Sequence, residues 1–256
     1  MNRLEGARLP IIALGLVMSV AACGDLEGQD DKQVIAPSNP PVQAGPSLGE
    51  AGPRFYTVAT CSADRRPATP APGTRYEYVY ADAEGNLDEG ASLSQEITSV
   101  DRDLVRYNEV MLLGDRPVSP TERRSLYLGL VPGEGSPRSY EFAPADLARL
   151  ANLQVGEALS LDGRETSRFD ETVTVNGAWH VRFVGCGVTT PAVTGAPREP
   201  VRVYRLKSFY RSARPAGDVI TTAEIERLIS ERNGWKVLDR EPSGMAILRD
   251  VVAPAP

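Results

Sequence analysis

The sequence predicts a mainly β, α+β fold: an antiparallel curved sheet or half-barrel with one short intervening helix and a C-terminal helix plus two-strand unit. Three observations lead there. Short runs rich in β-branched and aromatic residues recur along the chain, many alternating as in Arg75-Tyr76-Glu77-Tyr78-Val79-Tyr80. Clusters of Gly, Pro, Asn and Asp separate these runs. Within the folded part, helical spacing is confined to two stretches.

The chain opens with a secretory signal over residues 1–22: Arg3 and Arg8 give a positive start, an apolar core begins at Ile11, and small residues precede Cys23. That core is about a dozen residues, whereas a helix crossing the bilayer needs roughly 20. Pro10 and Gly15 weaken it further as a permanent span. Residues 23–53 carry no apolar periodicity and are rich in Pro, Gly and acidic residues. Such a composition buries too little surface to offset its ordering entropy, so this stretch reads as a disordered tether.

Residues 54–218 read as the antiparallel β domain. Residues 75–80 place Tyr76, Tyr78 and Tyr80 on one face of a strand. Residues 83–90 read as a loop, and strands follow at 93–100, 103–113, 124–131 and 138–143. After Pro144, Leu147, Leu150 and Ala151 fall at helical spacing, which predicts a short helix over 144–151. Gly156 then turns the chain into a strand at 158–163. The stretch 167–187 reads as a hairpin about Asn176-Gly177. A three-residue turn of Val175, Asn176 and Gly177 pairs Val173 with Trp179 and Phe169 with Phe183, and this apolar pairing favours it over a two-residue turn. Another strand follows at 201–210.

Residues 219–256 read as a helix followed by two strands and a frayed tail, a unit that either completes the main sheet or packs as a small αββ appendage. Thr221 and Glu224 form a capping box, Ile225, Leu228 and Ile229 lie on one stripe, and Gly234 supplies the stop. Two short strands then flank Pro242-Ser243-Gly244.

The segment Val20-Ala21-Ala22-Cys23 resembles the lipobox of bacterial lipoproteins. The resemblance implies cleavage before Cys23, a diacylglycerol thioether on its sulfur and an amide-linked third chain. Each buried methylene contributes about 0.8 kcal/mol, so two or three chains hold a protein where one does not. In that family an aspartate after the cysteine signals retention in the inner membrane. Gly24 stands there, which implies the periplasmic face of the outer membrane. More loosely, the meander over residues 72–211 resembles the curved sheets and half-barrels of lipoprotein-localisation carriers and of uncharacterised periplasmic families. No residue carries over from them, and fold analogy is a weak warrant for function.

With Cys23 acylated, Cys61 and Cys186 are the two remaining of three cysteines, and an exported protein most simply pairs them. A metal pair or a catalytic thiol is the alternative, but the chain holds one histidine and no CxxC. Removing Arg3, Arg8 and Glu5 from the 28 basic and 34 acidic residues leaves a net charge of −7, which argues against a nucleic-acid partner.

Catalytic signals are thin. His180 invites a general base oriented by Asp170, but no GxSxG, HExxH or Gly-rich phosphate loop accompanies it, so an exposed sheet histidine is the better reading. Asp82, Glu84, Asp88 and Glu89 lack the spacing of a calcium loop. No cofactor or metal is expected. The tyrosines at 76, 78 and 80 read first as a half-buried face packed on the C-terminal helix, and second as the wall of a ligand groove. The functional reading is therefore a non-enzymatic lipoprotein, an envelope interaction or maintenance module held to the membrane by Cys23, with a protein or a lipid as partner. A carrier for lipid or another hydrophobic ligand comes second, and an envelope hydrolase third.

Overall fold

The computed structural model describes residues 55–61, 67–114, 116–118, 121–126, 129–132, 138–167, 174–190, 198–211, 219–221 and 224–254. The signal, Cys23 and the tether lie outside these residues. All of the described residues fall within one compact unit, Pro41–Pro256.

The chain forms strands β1 (Tyr56–Ala59), β2 (Arg75–Ala81), β3 (Leu87–Asp101), β4 (Leu104–Leu113), β5 (Arg116–Pro117), β6 (Thr121–Leu126), β7 (Val131–Pro132) and β8 (Arg138–Phe142). Helix α1 (Pro144–Ala151) follows. The chain then continues through β9 (Ala158–Ser167), β10 (Thr174–Thr189), β11 (Pro200–Arg211), β12 (Val219–Thr221), β13 (Ile225–Ser230), β14 (Lys236–Glu241) and β15 (Gly244–Val252). Among the described residues, twelve strands form a continuous antiparallel path in the order β7-β6-β4-β3-β2-β15-β14-β13-β11-β10-β9-β8. Two meanders thus meet at the centre, where β2 pairs with β15 from Ala81 opposite Met245 to Arg75 opposite Val252.

The connectivity requires curvature. Twelve strands laid flat at roughly 4.8 Å spacing would put the two edges about 50 Å apart. Only residues 133–137 join β7 at one edge to β8 at the other, and that link reaches about 22 Å at most. The sheet therefore curls until its edges approach. Its inner face follows from one contact: Gly129, in the turn between β6 and β7, accepts a hydrogen bond from Arg227 of β13, far across the strand order. Cross-strand partners place Phe183, Tyr204, Arg227, Asp239, Ala246 and Tyr80 in one row on this face. The neighbouring row on the opposite face runs Arg205, Glu226, Arg240 and Met245.

Helix α1 matches its expected span, with Pro144 at its start, Asp146 in the first turn and Leu150 buried. Two hydrophobic clusters result. One gathers Tyr76, Tyr78, Ile97, Val105, Tyr107 and Trp235 together with aliphatics of the central strands. The other gathers Leu150, Leu159, Leu161, Val181, Phe183 and Tyr204.

Four expectations need correction. The expected C-terminal helix is strand β13, and β13 to β15 lie in the middle of the sheet, so the boundary at 218/219 marks no appendage. Ile225, Leu228 and Ile229 fit a helical stripe, but they also fit a strand buried on both faces: Leu228 joins the first cluster, Ile229 the second. Asn176-Gly177 is no turn. Strand β10 runs through it with Asn176 opposite Arg164 and Gly177 opposite Gly163, and Trp179 faces Leu161. The segment joining β9 to β10, with Phe169, Asp170, Thr172 and Val173, lies outside the described residues. The expected loop at 83–90 ends early, because β3 begins at Leu87, and the expected strand 124–131 breaks at Gly129-Leu130.

Candidate functional site

Two places in the fold bring together the residues singled out in the sequence. The first is where the chain arrives from the tether. Strand β1 pairs with β10, from Tyr56 opposite Thr189 to Ala59 opposite Cys186. The Thr190 N–H donates to the Phe55 carbonyl at 2.8 Å, extending the ladder towards the N-terminal side. Two residues beyond β1, Cys61 forms a disulfide with Cys186, with Cα atoms 5.1 Å apart. Gly187 makes this seat: a Cβ there would lie 2.6 Å from Tyr56 Cδ2 and 2.8 Å from the Thr57 carbonyl oxygen. Gly187 thus admits β1, and the neighbouring Cys186 bonds to Cys61 just beyond it.

The second place is the tyrosine face of β2. Tyr76 and Tyr78 are buried in the first cluster, against the turn that leads from β13 to β14 rather than against a helix. The Tyr78 hydroxyl donates to the Lys236 carbonyl at 2.9 Å, and the Tyr76 hydroxyl to the Asn233 carbonyl at 3.3 Å. Burial raises both phenols well above the ordinary value, with Glu199 adding to the rise at Tyr76 and Asp239 to that at Tyr78. Tyr80 is half-buried, and burial pushes it up to about 12. Tyr76 and Tyr78 are therefore core, with their polar ends satisfied.

Around these rings lies a set of matched polar groups. Arg227 binds Asp239 through two hydrogen bonds of 2.5 and 2.6 Å. Burial alone would raise the Asp239 carboxyl, but Arg227 and Lys236 outweigh it and hold it below the usual range. Trp235, fully buried, donates its indole N–H to Gln95 Oε1 at 3.1 Å. Gln95 donates in turn to Glu109 at 2.8 Å, and Arg123 pairs with Glu109 at 3.3 Å. The buried Lys236 ammonium sits 5.3 Å from the Trp235 ring centroid and 5.5 Å from that of Tyr107. Burial lowers its pKa to about 8.

A more deeply buried carboxyl lies nearby. Glu199 is 2% exposed, takes a hydrogen bond from the Ser230 hydroxyl, and keeps Oε1 without a hydrogen-bond partner. Burial raises its pKa, against the opposing pulls of Ser230 and Arg232. Ser230 Oγ also accepts the Arg232 and Asn233 N–H groups at 3.1 and 2.9 Å, so it caps the turn that presents Trp235.

His180 is exposed on β10, opposite Ser160 and Lys207. Burial of part of its ring lowers its pKa, Asp162 opposes that and Lys207 adds to it. The carboxylate acting on it is thus Asp162, whereas Asp170 falls outside the described residues. Asp82 accepts two hydrogen bonds of 2.8 Å from Asn86 and closes the loop before β3. No group of three or more His, Cys, Asp or Glu suited to a metal occurs among the described residues.

The sequence reading missed Arg227, Lys236, Asp239, Gln95 and Glu109. Arg227 falls within the stretch expected to be the C-terminal helix. The overlooked signal is Asn233-Gly234, a turn dipeptide standing between two runs that each work as strands.

No protein-family model matches this chain, and no curated protein matches it. Two solved structures are similar to it. One is a Bacteroides fragilis protein classed as exported and of YMCC-like fold, at 10% identity and a TM-score of 0.44, covering 74% of this chain and 99% of that one. The other is a Parabacteroides distasonis protein classed as a lipoprotein, at 12% identity and a TM-score of 0.43, covering 72% of this chain and 97% of that one.

Proposed function

We propose that this protein is a non-enzymatic lipoprotein, anchored through acylated Cys23 at the periplasmic face of the outer membrane, where it serves as an envelope interaction or maintenance module. The observation that carries the reading is Val20-Ala21-Ala22-Cys23 at the end of a short apolar core led by Arg3 and Arg8. The disulfide between the two other cysteines supports it, since such bonds persist in oxidising compartments outside the cytoplasm. Gly24 favours the outer membrane. The carrier reading loses its main support, because Tyr76 and Tyr78 are packed and their hydroxyls are bonded to backbone.

Membrane fractionation tests the anchor and its address. Wild type is expected in the outer-membrane fraction, Gly24→Asp in the inner-membrane fraction, and Cys23→Ser unprocessed or free of the outer membrane. A Cys23→Ser protein processed and located like wild type would overturn the proposal. Stoichiometric lipid held without a covalent bond would return the carrier to first place.

A further inference from the structure

We infer that the Cys61–Cys186 disulfide is a mechanical clamp that passes tension from the anchor into β10 instead of through the backbone of β2. This rests on the proposed anchor at Cys23, because only an anchored chain pulls on its own N-terminal side.

A pull from the tether reaches the fold at Phe55 and acts on β1 from its Tyr56 end. The β1 ladder has four residue pairs, and a pull from one end opens them in succession rather than together. Phe55 and Tyr56 pack on the first cluster whereas Val58 is 78% exposed, so the packing of this strand sits at the end that the pull opens first. Without the disulfide, the load would next pass along residues 62–74, where isolated bonds such as Ala68 N–H to the Glu231 carbonyl and Gly73 N–H to the Ile97 carbonyl hold the chain, to Arg75, the first residue of β2. That is the worst place for it. β2 is the seam between the two meanders, and Tyr76 and Tyr78 anchor the first cluster.

The disulfide intercepts the load before that point. Ala59, the last residue of β1, lies opposite Cys186, and Cys61 bonds to that same Cys186. Cys186 lies inside a 16-residue strand that pairs on its other side with β11 from Pro200 to Tyr210. Tension therefore enters the sheet in the body of its longest strand among those described. The bond spans 125 residues of sequence, and these, with β2 among them, leave the path of the force.

Single-molecule force spectroscopy tests this on the full mature chain carrying Cys23→Ser, held by cysteine-free tags at residue 24 and at the C-terminus. Oxidised molecules should release about 280 Å, from residues 55–61 and 187–256 at roughly 3.6 Å each. Reduced molecules should first lose β1 and the following segment up to Arg75 in a low-force step of about 70 Å, and in all release about 730 Å. A Cys61→Ser/Cys186→Ser variant should follow the reduced trace. Full release from oxidised molecules, or reduced molecules that lack the early step and yield at the oxidised force, would overturn the clamp. These molecules carry no lipid, so the result is independent of whether Cys23 is acylated in the cell.

Discussion

Trp235 and Leu161 are both fully buried, yet they are held in different ways. Trp235 lies in a cluster threaded by directional bonds, from its indole through Gln95 to Glu109 and Arg123, with Arg227 and Asp239 alongside. Leu161 lies in a cluster held mainly by apolar area: Leu159, Val181, Leu150 and the stacked rings of Phe183 and Tyr204, 4.9 Å between centroids. The apolar cluster tolerates change in proportion to the volume removed, because its contacts are individually weak and non-directional. The threaded cluster does not, because deleting one partner leaves another buried and unpaired. Two packing logics thus coexist in one curved sheet.

The largest effect is expected at Asp239. An Asp239→Ala change leaves the Arg227 guanidinium, 13% exposed, without its counter-charge, and should cost about 3–5 kcal/mol in urea unfolding. A loss below about 1 kcal/mol would mean that water replaces the pair and that the threaded cluster is not specially vulnerable. Next comes Leu161→Ala, expected to cost about 3 kcal/mol through lost area and the cavity left behind. If that exceeded the Asp239 loss, the contrast between the clusters would fail.

A double-mutant cycle sharpens the contrast. Trp235→Phe and Gln95→Leu should each cost about 2 kcal/mol, but together less than the sum, with a coupling of about 1 kcal/mol. Additive losses would show the indole bond to be incidental. The smallest effect concerns Glu199. Its raised folded-state pKa means that its contribution is fully present below the unfolded carboxylate range and is lost as pH rises through the folded value. Glu199→Gln should therefore melt about 2 °C above wild type at pH 7–8, with the gap closing towards pH 4. A variant less stable than wild type at pH 7–8 would show the ionised carboxylate to be needed.

The apolar cluster was the more legible of the two in the sequence. Helix α1 follows from Pro144 and the spacing of Leu147, Leu150 and Ala151. Strands β8, β9 and β11 follow from alternation and turn chemistry, as do β2 and β4 of the threaded cluster. The threaded cluster was hidden by strand β13. Its residues alternate between two buried faces, so no polar side marked it as a strand, and a helical stripe fitted equally well. Turn chemistry misled in a matching way. Asn176-Gly177 lies inside the ladder of β10 with β9, whereas Asn233-Gly234 closes the β13–β14 turn with Gly234 at φ 63°. Local signals of equal strength were separated only by which strands could pair across the sheet. Gln95 and Glu109 were illegible for the same reason. Their contact depends on the register of β3 with β4, which places them opposite each other.

The central claim is a lipid-anchored module whose two remaining cysteines are joined, and the intact mass of protein extracted from membranes tests it most directly. The predicted spectrum shows a chain starting at Cys23, heavier by its acyl groups, and two hydrogens lighter than its reduced form. A chain cleaved elsewhere and bearing no acyl mass would contradict the anchor, and a mass that reduction leaves unchanged would contradict the disulfide.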